Sequence, residues 1–424
     1  MLGLRHARHI PPPRASRTAR LAATLGAAAA TLIALAGCGK AAPEQQSGAG
    51  VETVVVKIGA AGTAATATRN TTRLGGADAV ADAAAVARAA YPGLTADTRP
   101  QAVVLADTGD WPAALAASAL ASAPLGAPLL YAEGQKLGQA SVRALHALRP
   151  TGASALGGAQ ALLLGASIEA PSGYRARGTS LRDPYSLAAS VAQLLAIVRG
   201  ASPRQAIVVA ADGPPALAMP AAGLAAESGA PILFVTASGV PAATAAALKS
   251  LGRPAIYTVG STAIGERTLA QLGRFGTVKR VESRAGEDAT AAGNAIAVSR
   301  FTDGSFGWGV LEPGHGLVFA NAGRPFDAPA AAILSATGDY APLLLLEDAG
   351  RVGPALGSYL SDIQPAAPRS QPARGVYNHG WLIGDERAIA QGTQAELDAL
   401  LEIAPHSSPG EGAQSGEGPV ATTG

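Results

Sequence analysis

The chain is short of the residues that most often carry chemistry. One cysteine, Cys38, occurs in 424 residues, so no disulfide can form within the chain and an oxidising compartment adds nothing to its stability. Aromatic residues make up only 4%, which leaves Ala, Val, Leu and Ile to build the core. Neither a Gly-x-Ser-x-Gly elbow nor a phosphate-binding P-loop is present. Beyond the N-terminal segment the histidines are His146, His315, His379 and His406, too scattered for a metal-binding His-x-x-x-His pair. His379, flanked by Tyr377 and Trp381, has the composition of a sugar-site histidine, although packing by its neighbours explains it as well. Glu282, Glu287 and Asp288 lie near Arg280 and Arg284; a solvated ion cluster at a helix start explains them better than an acid/base group. No catalytic set and no cofactor is expected.

Charge is also sparse, and its distribution is uneven. Residues 1–20 carry arginines at 5, 8, 14, 17 and 20 and no acidic residue; an uncharged run from Leu21 to Gly37 follows and ends at Cys38. A basic segment followed by a short apolar stretch is what an export signal needs. The run is alanine-rich and close to the lower limit for a permanent membrane helix, about 20 apolar residues. Its end, Leu35-Ala36-Gly37-Cys38, resembles the lipobox of bacterial lipoproteins. That resemblance implies diacylglycerol on the Cys38 thiol, removal of residues 1–37, and a place on the outer face of the membrane. Without the five leading arginines the chain keeps 27 of its 32 basic residues against 30 acidic, a net charge of −3. A nucleic-acid partner normally requires a basic excess or stripe, so none is expected. Pro112, Pro124, Gly126 and Pro128 interrupt the uncharged stretch at 111–132, and no membrane-spanning helix is read after Cys38.

What the sequence has in abundance is alanine, arranged in a repeat. Asp78, Asp183 and Asp288 are 105 residues apart, each followed eight residues later by Val86, Val191 or Ile296. Aspartate is a good helix N-cap, and an eight-residue spacing keeps one helix face. Apolar runs of strand type recur next, at 102–106, 206–210 and 316–320. Alanine-rich helices follow, and then Pro128-Leu129-Leu130, Pro231-Ile232-Leu233 and Pro342-Leu343-Leu344. Further apolar runs close the units at Ala155-Leu156-Gly157, Thr258-Val259-Gly260 and Leu382-Ile383-Gly384. Alternating helices and strands of this kind predict an α/β fold of three tandem repeats, each a small parallel sheet flanked by helices. The expected layout is a signal at 1–37, a tether at 38–52 and a lead-in strand within 53–71. Repeats at 72–176, 177–281 and 282–404 follow, and the Gly/Ser/Pro/Glu-rich tail at 405–424 is expected to be disordered.

These signatures resemble the cell wall-binding repeat 2 family, three tandem modules packed with pseudo-threefold symmetry. Gly75-Gly76-Ala77-Asp78, Gly109-Asp110, Gly157-Gly158 and the three Pro-[Leu/Ile]-Leu runs carry the likeness. Departures are Ala79, Pro184 and Ala289, where the family usually has arginine, and Ala113 and Ala216, where only the third unit keeps an acid, Asp327. The resemblance implies a non-catalytic surface lipoprotein whose partners are a cell-wall polymer, either an anionic glycopolymer or peptidoglycan, and the membrane through its lipid. For an anionic polymer the arginines near the repeat starts, Arg73, Arg182, Arg280 and Arg284, are the expected contacts. The Pro-[Leu/Ile]-Leu strands have two readings. The leucines fill the core, or residues 128–130, 231–233 and 342–344 line a polymer site at the strand ends. The rival reading is an extracytoplasmic solute-binding lipoprotein delivering a small ligand to a transporter, which would show two lobes around one cleft.

Overall fold

A computed structural model describes residues 54–56, 65–165, 168–282, 289–336, 340–367 and 376–405. Cys38, most of the tether and lead-in, Arg284, Asp288 and residues 406–424 lie outside the described residues.

The apolar runs form three sheets. The first has the order Lys136–Leu137, Leu129–Glu133, Val103–Asp107, Ala161–Leu164, Ala176–Thr179. In the second the order is Ile232–Val235, Gln205–Ala210, Ala255–Thr258, Thr277–Arg280. The third runs Val54–Val56, Ala65–Ala67, Thr71–Leu74, His379–Ile383, Gly316–Asn321, Leu343–Leu346. Four strands of each sheet are parallel, and the registers are equivalent. Val104 lies between Leu129 and Leu162, Ile207 between Ile232 and Tyr257, and Val318 between Leu343 and Trp381. The fold is therefore the expected α/β repeat. One strand assignment needs correction. In the first module residues 154–156 form a short 3-10 turn, and the strand equivalent to Leu382-Ile383 is Ala161–Leu164, ending at Gly165. Gly157 and Gly158, both with positive φ, turn the chain between them.

Each leading helix is capped by a side chain. Asp78 accepts from the Ala81 amide at 2.9 Å and Asp183 from Ser186 at 2.8 Å. In the third module the cap is Thr290, which accepts from Gly293 at 3.0 Å, two residues beyond the expected Asp288. A threonine oxygen satisfies the same orphan amide that an aspartate does, so the cap moved without changing the helix.

The strand ahead of each leading helix joins the sheet of the neighbouring module. Ala176–Thr179 completes the first sheet, and the helix Pro184–Arg199 then packs on Ile232–Val235 of the second. Thr277–Arg280 completes the second, and Ala291–Arg300 packs on Leu343–Leu346 of the third. Thr71–Leu74 joins the third sheet, and Ala79–Ala90 packs on Leu129–Glu133 of the first. The three modules thereby close into a ring with pseudo-threefold symmetry. At its centre the helices Ala221–Ser228 and Asp327–Ala336 pack on each other and on the turn Ser118–Ala121. Small side chains permit this close approach. A Cβ added at Gly223 would stand 2.8 Å from Ser335 Oγ, and overpacking of such a site costs about 1–3 kcal/mol. No helix among the described residues is long and apolar enough to cross a membrane.

Candidate functional site

In open parallel sheets a ligand crevice forms outside the carboxyl ends of the strands, where the strand order reverses. In each module this point is the end of the first repeated strand, because the chain crosses from it to one neighbour and then to the other. Three equivalent crevices are thus possible, and they differ in what fills them.

The first is open. It is a cavity of about 350 Å³ lined by Asp107, Gly109, Asp110, Pro112, Gly165, Ile168, Arg182 and Pro184. Asp107 ends its strand and accepts from the amides of Gly109 at 3.0 Å and Gly134 at 3.1 Å. Asp110 caps the helix Trp111–Ala117 by accepting from Ala113 at 3.0 Å. Burial raises the Asp110 pKa, and the neighbouring Asp107 charge adds to the effect. Arg182 is exposed and Ile168 buried. Together they offer carboxylate acceptors, one guanidinium and a small apolar wall, a mixture suited to hydroxyl and amide groups.

The second crevice is closed by Asn294. Its Nδ2 donates to Leu217 O at 2.6 Å, and its Oδ1 accepts from the Gly260 amide at 3.2 Å. Charged groups fill the third: Arg324 Nε donates to Asp327 at 2.7 Å, and its Nη2 pairs with Asp82. Asp82, Leu187 and Asn294 occupy the same place, four residues after their caps Asp78, Asp183 and Thr290. A second cavity, of about 600 Å³, lies among helix ends and is lined by Arg300, Phe301, Asp362 and neighbours. There Arg300 is engaged with Asp362 at 2.9 Å and with the Tyr359 ring.

Of the expected site residues that lie among the described residues, only Arg182 lines the open crevice. Arg73 is corrected: it is 6% exposed, donating to the carbonyls of Gly384, Asp385 and Ile389 and to Gln394, and cannot reach a polymer. Its pKa is lowered by burial. Arg280 is held by Glu266 at 2.6 Å, with Glu282 at 3.8 Å, and the Glu266 hydrogen bond raises its pKa. Arg284 and Cys38 lie outside the described residues.

The Pro-[Leu/Ile]-Leu strands are also corrected. Pro128, Leu129, Leu130, Pro231, Ile232, Leu233, Pro342, Leu343 and Leu344 are all buried. The carbonyls of Pro128, Pro231 and Pro342 accept from Val104, Ile207 and Val318 at 2.9–3.0 Å. Proline opens each strand because its missing amide is not needed there. The leucines pack in the core. His379 is partly buried, with Nε2 3.1 Å from Thr72 Oγ1 and its ring 5.0 Å from that of Trp381. Asp107 was not anticipated. Its signal is an acid at a strand end followed two residues later by glycine, a turn in which the carboxylate caps the Gly109 amide.

Comparison with known proteins agrees with this fold. Residues 73–164, the first module with the strand that precedes it, match the family model for cell wall binding domain 2 (CWB2). No curated protein matches the sequence. Among solved structures the chain is similar to Cwp8 from Clostridium difficile, with 16% identity over 78% of this chain and 52% of that one, at a TM-score of 0.58. It is also similar to Cwp6 from the same organism, with 17% identity over 80% of this chain and 49% of that one, at a TM-score of 0.57. The chain thus spans about half the length of these solved chains, and at such identities the likeness is one of fold.

Proposed function

We propose, taking the CWB2 domain at residues 73–164 as the premise, that the protein is a non-catalytic, cell-wall-binding surface lipoprotein that holds a wall polymer at its first-module crevice. One observation carries the reading: the crevice open among the described residues sits at the strand ends of the module that matches the family model, which supplies Asp107, Gly109, Asp110 and Pro112 to its lining. Three equivalent modules also fit a solute-binding protein poorly, since that function calls for two lobes around one cleft. The crevice offers Asp107, Asp110 and Arg182. Asp107 and Asp110 would accept from sugar hydroxyls or amides, and Arg182 would donate. Buried Arg73 and paired Arg280 take little part in attracting a polyanion. A neutral, hydroxyl-rich wall glycan or peptidoglycan therefore fits this surface better than a strongly anionic polymer.

Lipid on Cys38 would place the modules outside the cell membrane, facing the wall. One acyl chain anchors only marginally, so the two chains of a diacylglycerol are needed.

Pull-down of the chain beginning after Cys38 on purified walls, before and after acid extraction of accessory polymers, tests the first half. Retention on extracted walls supports peptidoglycan, and loss assigns the ligand to the extracted polymer. Failure to bind either preparation would reject wall binding. Labelled fatty acid should enter the wild type and not Cys38→Ser, which should leave the membrane fraction; equal labelling of both would reject the anchor.

A further inference from the structure

Buried charge is concentrated at one place in this molecule. Among the described residues the buried charged side chains are Arg73, Asp82, Asp327 and Asp398, and all four lie where the first module meets the third. This seam differs from the other two in its connectivity. Each of the other junctions is crossed by a strand that continues from the sheet it completes. Here Thr71–Leu74, near the start of the described chain, is added to a sheet whose remaining parallel strands are more than 240 residues away in sequence. No covalent link holds this closure. Asn70 and Thr68 fasten it to Asp398, whose Oδ1 accepts from the Asn70 amide at 2.7 Å and from Thr68 Oγ1 at 2.5 Å.

The cluster at its heart has two carboxyls for one guanidinium. Asp82 is 0% and Asp327 1% exposed, and Arg324 bonds to both. Asp82 Oδ1 also accepts from the Gly76 amide at 2.6 Å, while among the described residues Asp327 Oδ1 accepts from no amide, hydroxyl or guanidinium and has the Asp82 carboxyl within hydrogen-bonding reach of its side chain. The other groups that face the pair do not neutralise it. Tyr131, from the first sheet, donates to Phe326 O at 2.5 Å. Arg73, on the adjoining strand, is turned toward Gly384, Asp385, Ile389 and Gln394. From the loop after the third sheet, Asp385 adds negative charge and is itself paired with Arg387, and Glu386 accepts from Gln391. A Cβ at Gly75 would meet Asp82 Oδ1 and Gly384 N at 2.5 Å, which leaves little room for water to solvate the carboxyls. A second negative charge in such a place is costly unless a proton removes it.

We propose that the seam between the third and first modules is a protonation-dependent latch. Closed, it retains one proton on the Asp82–Asp327 pair; opening exposes both carboxyls, releases that proton to solvent and frees Thr71–Leu74 and Ala79–Ala90 from the third module. Burial, together with the Asp327 charge, raises the Asp82 pKa to about 8. The opened or unfolded chain has an ordinary carboxyl there. Between about pH 4 and pH 8 the closed form binds a proton that the open form has lost, so closure weakens with rising pH across that window, and the loss levels off above it.

The latch is testable by hydrogen exchange on the full chain, corrected for intrinsic rates. The seam amides Gly380 and Gly384, which donate to Asn70 O and Leu74 O, are compared with Ile207 and Val259 in the second module. From pH 6 to pH 8 the seam amides should lose protection by up to about tenfold per pH unit relative to the second-module amides, the linkage of one proton. Asp82→Asn, a permanent mimic of the protonated carboxyl, should remove that extra loss and should be better protected at the seam than the wild type at pH 8. Asp327→Asn provides the same test if the first variant fails to fold. Equal loss in both modules, or an unchanged seam slope in a folded Asn variant, would overturn the latch.

Discussion

The first and third crevices are built on the same backbone plan, and four residues past the helix cap one has Leu187 where the other has Asp82. Leu187 packs into the common core and leaves the strand ends of the first sheet open. Asp82 brings Arg324 and Asp327 together and fills the equivalent space with charge. Symmetry of fold therefore does not give symmetry of use. One module leaves its crevice open, and another uses the same position to close the ring. Asn294, a neutral plug, is intermediate between them.

The largest effect should come from removing the cation of the closed crevice. Arg324→Ala leaves two buried carboxyls without a counter-ion, a change that costs about 3–5 kcal/mol when a buried pair is broken. Urea unfolding at pH 7 should show that loss. Arg182→Ala in the open crevice should shift stability by no more than about 0.5 kcal/mol, as surface substitutions usually do. Equal effects of the two would show that the crevices are not the different structures described above.

A somewhat smaller effect is expected where the modules are alike. Leu130, Leu233 and Leu344 occupy one register position and are each 0% exposed. Their replacement by alanine should cost about 2–5 kcal/mol in each case, through lost burial and the cavity left behind. The folded variants should bind walls as the parent does. Reduced binding by a variant that retains its melting transition would return these leucines to the site.

Much of the fold was legible because its signals are local. The Asp78 and Asp183 caps, the Pro-led strands and the alanine helices each follow from a few neighbouring residues, and their repetition identified the unit. The first-module strand Ala161–Leu164 was missed for a physical reason. Ala155-Leu156-Gly157 has the same apolar-to-glycine pattern, and only pairing with Val103–Asp107 distinguishes the strand from the turn. The site was less legible. Arg73 reads as a surface cation because lone arginines usually are exposed, and its burial depends on carbonyls more than 300 residues away. Nothing local in the sequence singles out Asp82, since Arg324 meets it across 242 positions of sequence.

The smallest effect is expected at the open crevice itself, where the comparison with the third module is sharpest. Arg182 is exposed at its rim, and an exposed charge contributes about 0–1 kcal/mol to a contact. Arg182→Ala should therefore weaken wall binding by no more than about fivefold, the factor that 1 kcal/mol represents. The salt dependence is more informative than the size. A contact made by one guanidinium should show a shallow decline between low salt and 1 M, where the Debye length falls to about 3 Å. Asp107→Asn keeps an oxygen for the Gly109 amide but removes the negative charge, so binding through sugar hydroxyls should fall modestly and independently of salt. Titration of both variants on extracted walls across the salt range separates the contributions. Steep salt dependence that survives in Arg182→Ala would mean that a polyanion is held elsewhere on the surface. The open first crevice would then be no more a polymer site than the filled third one.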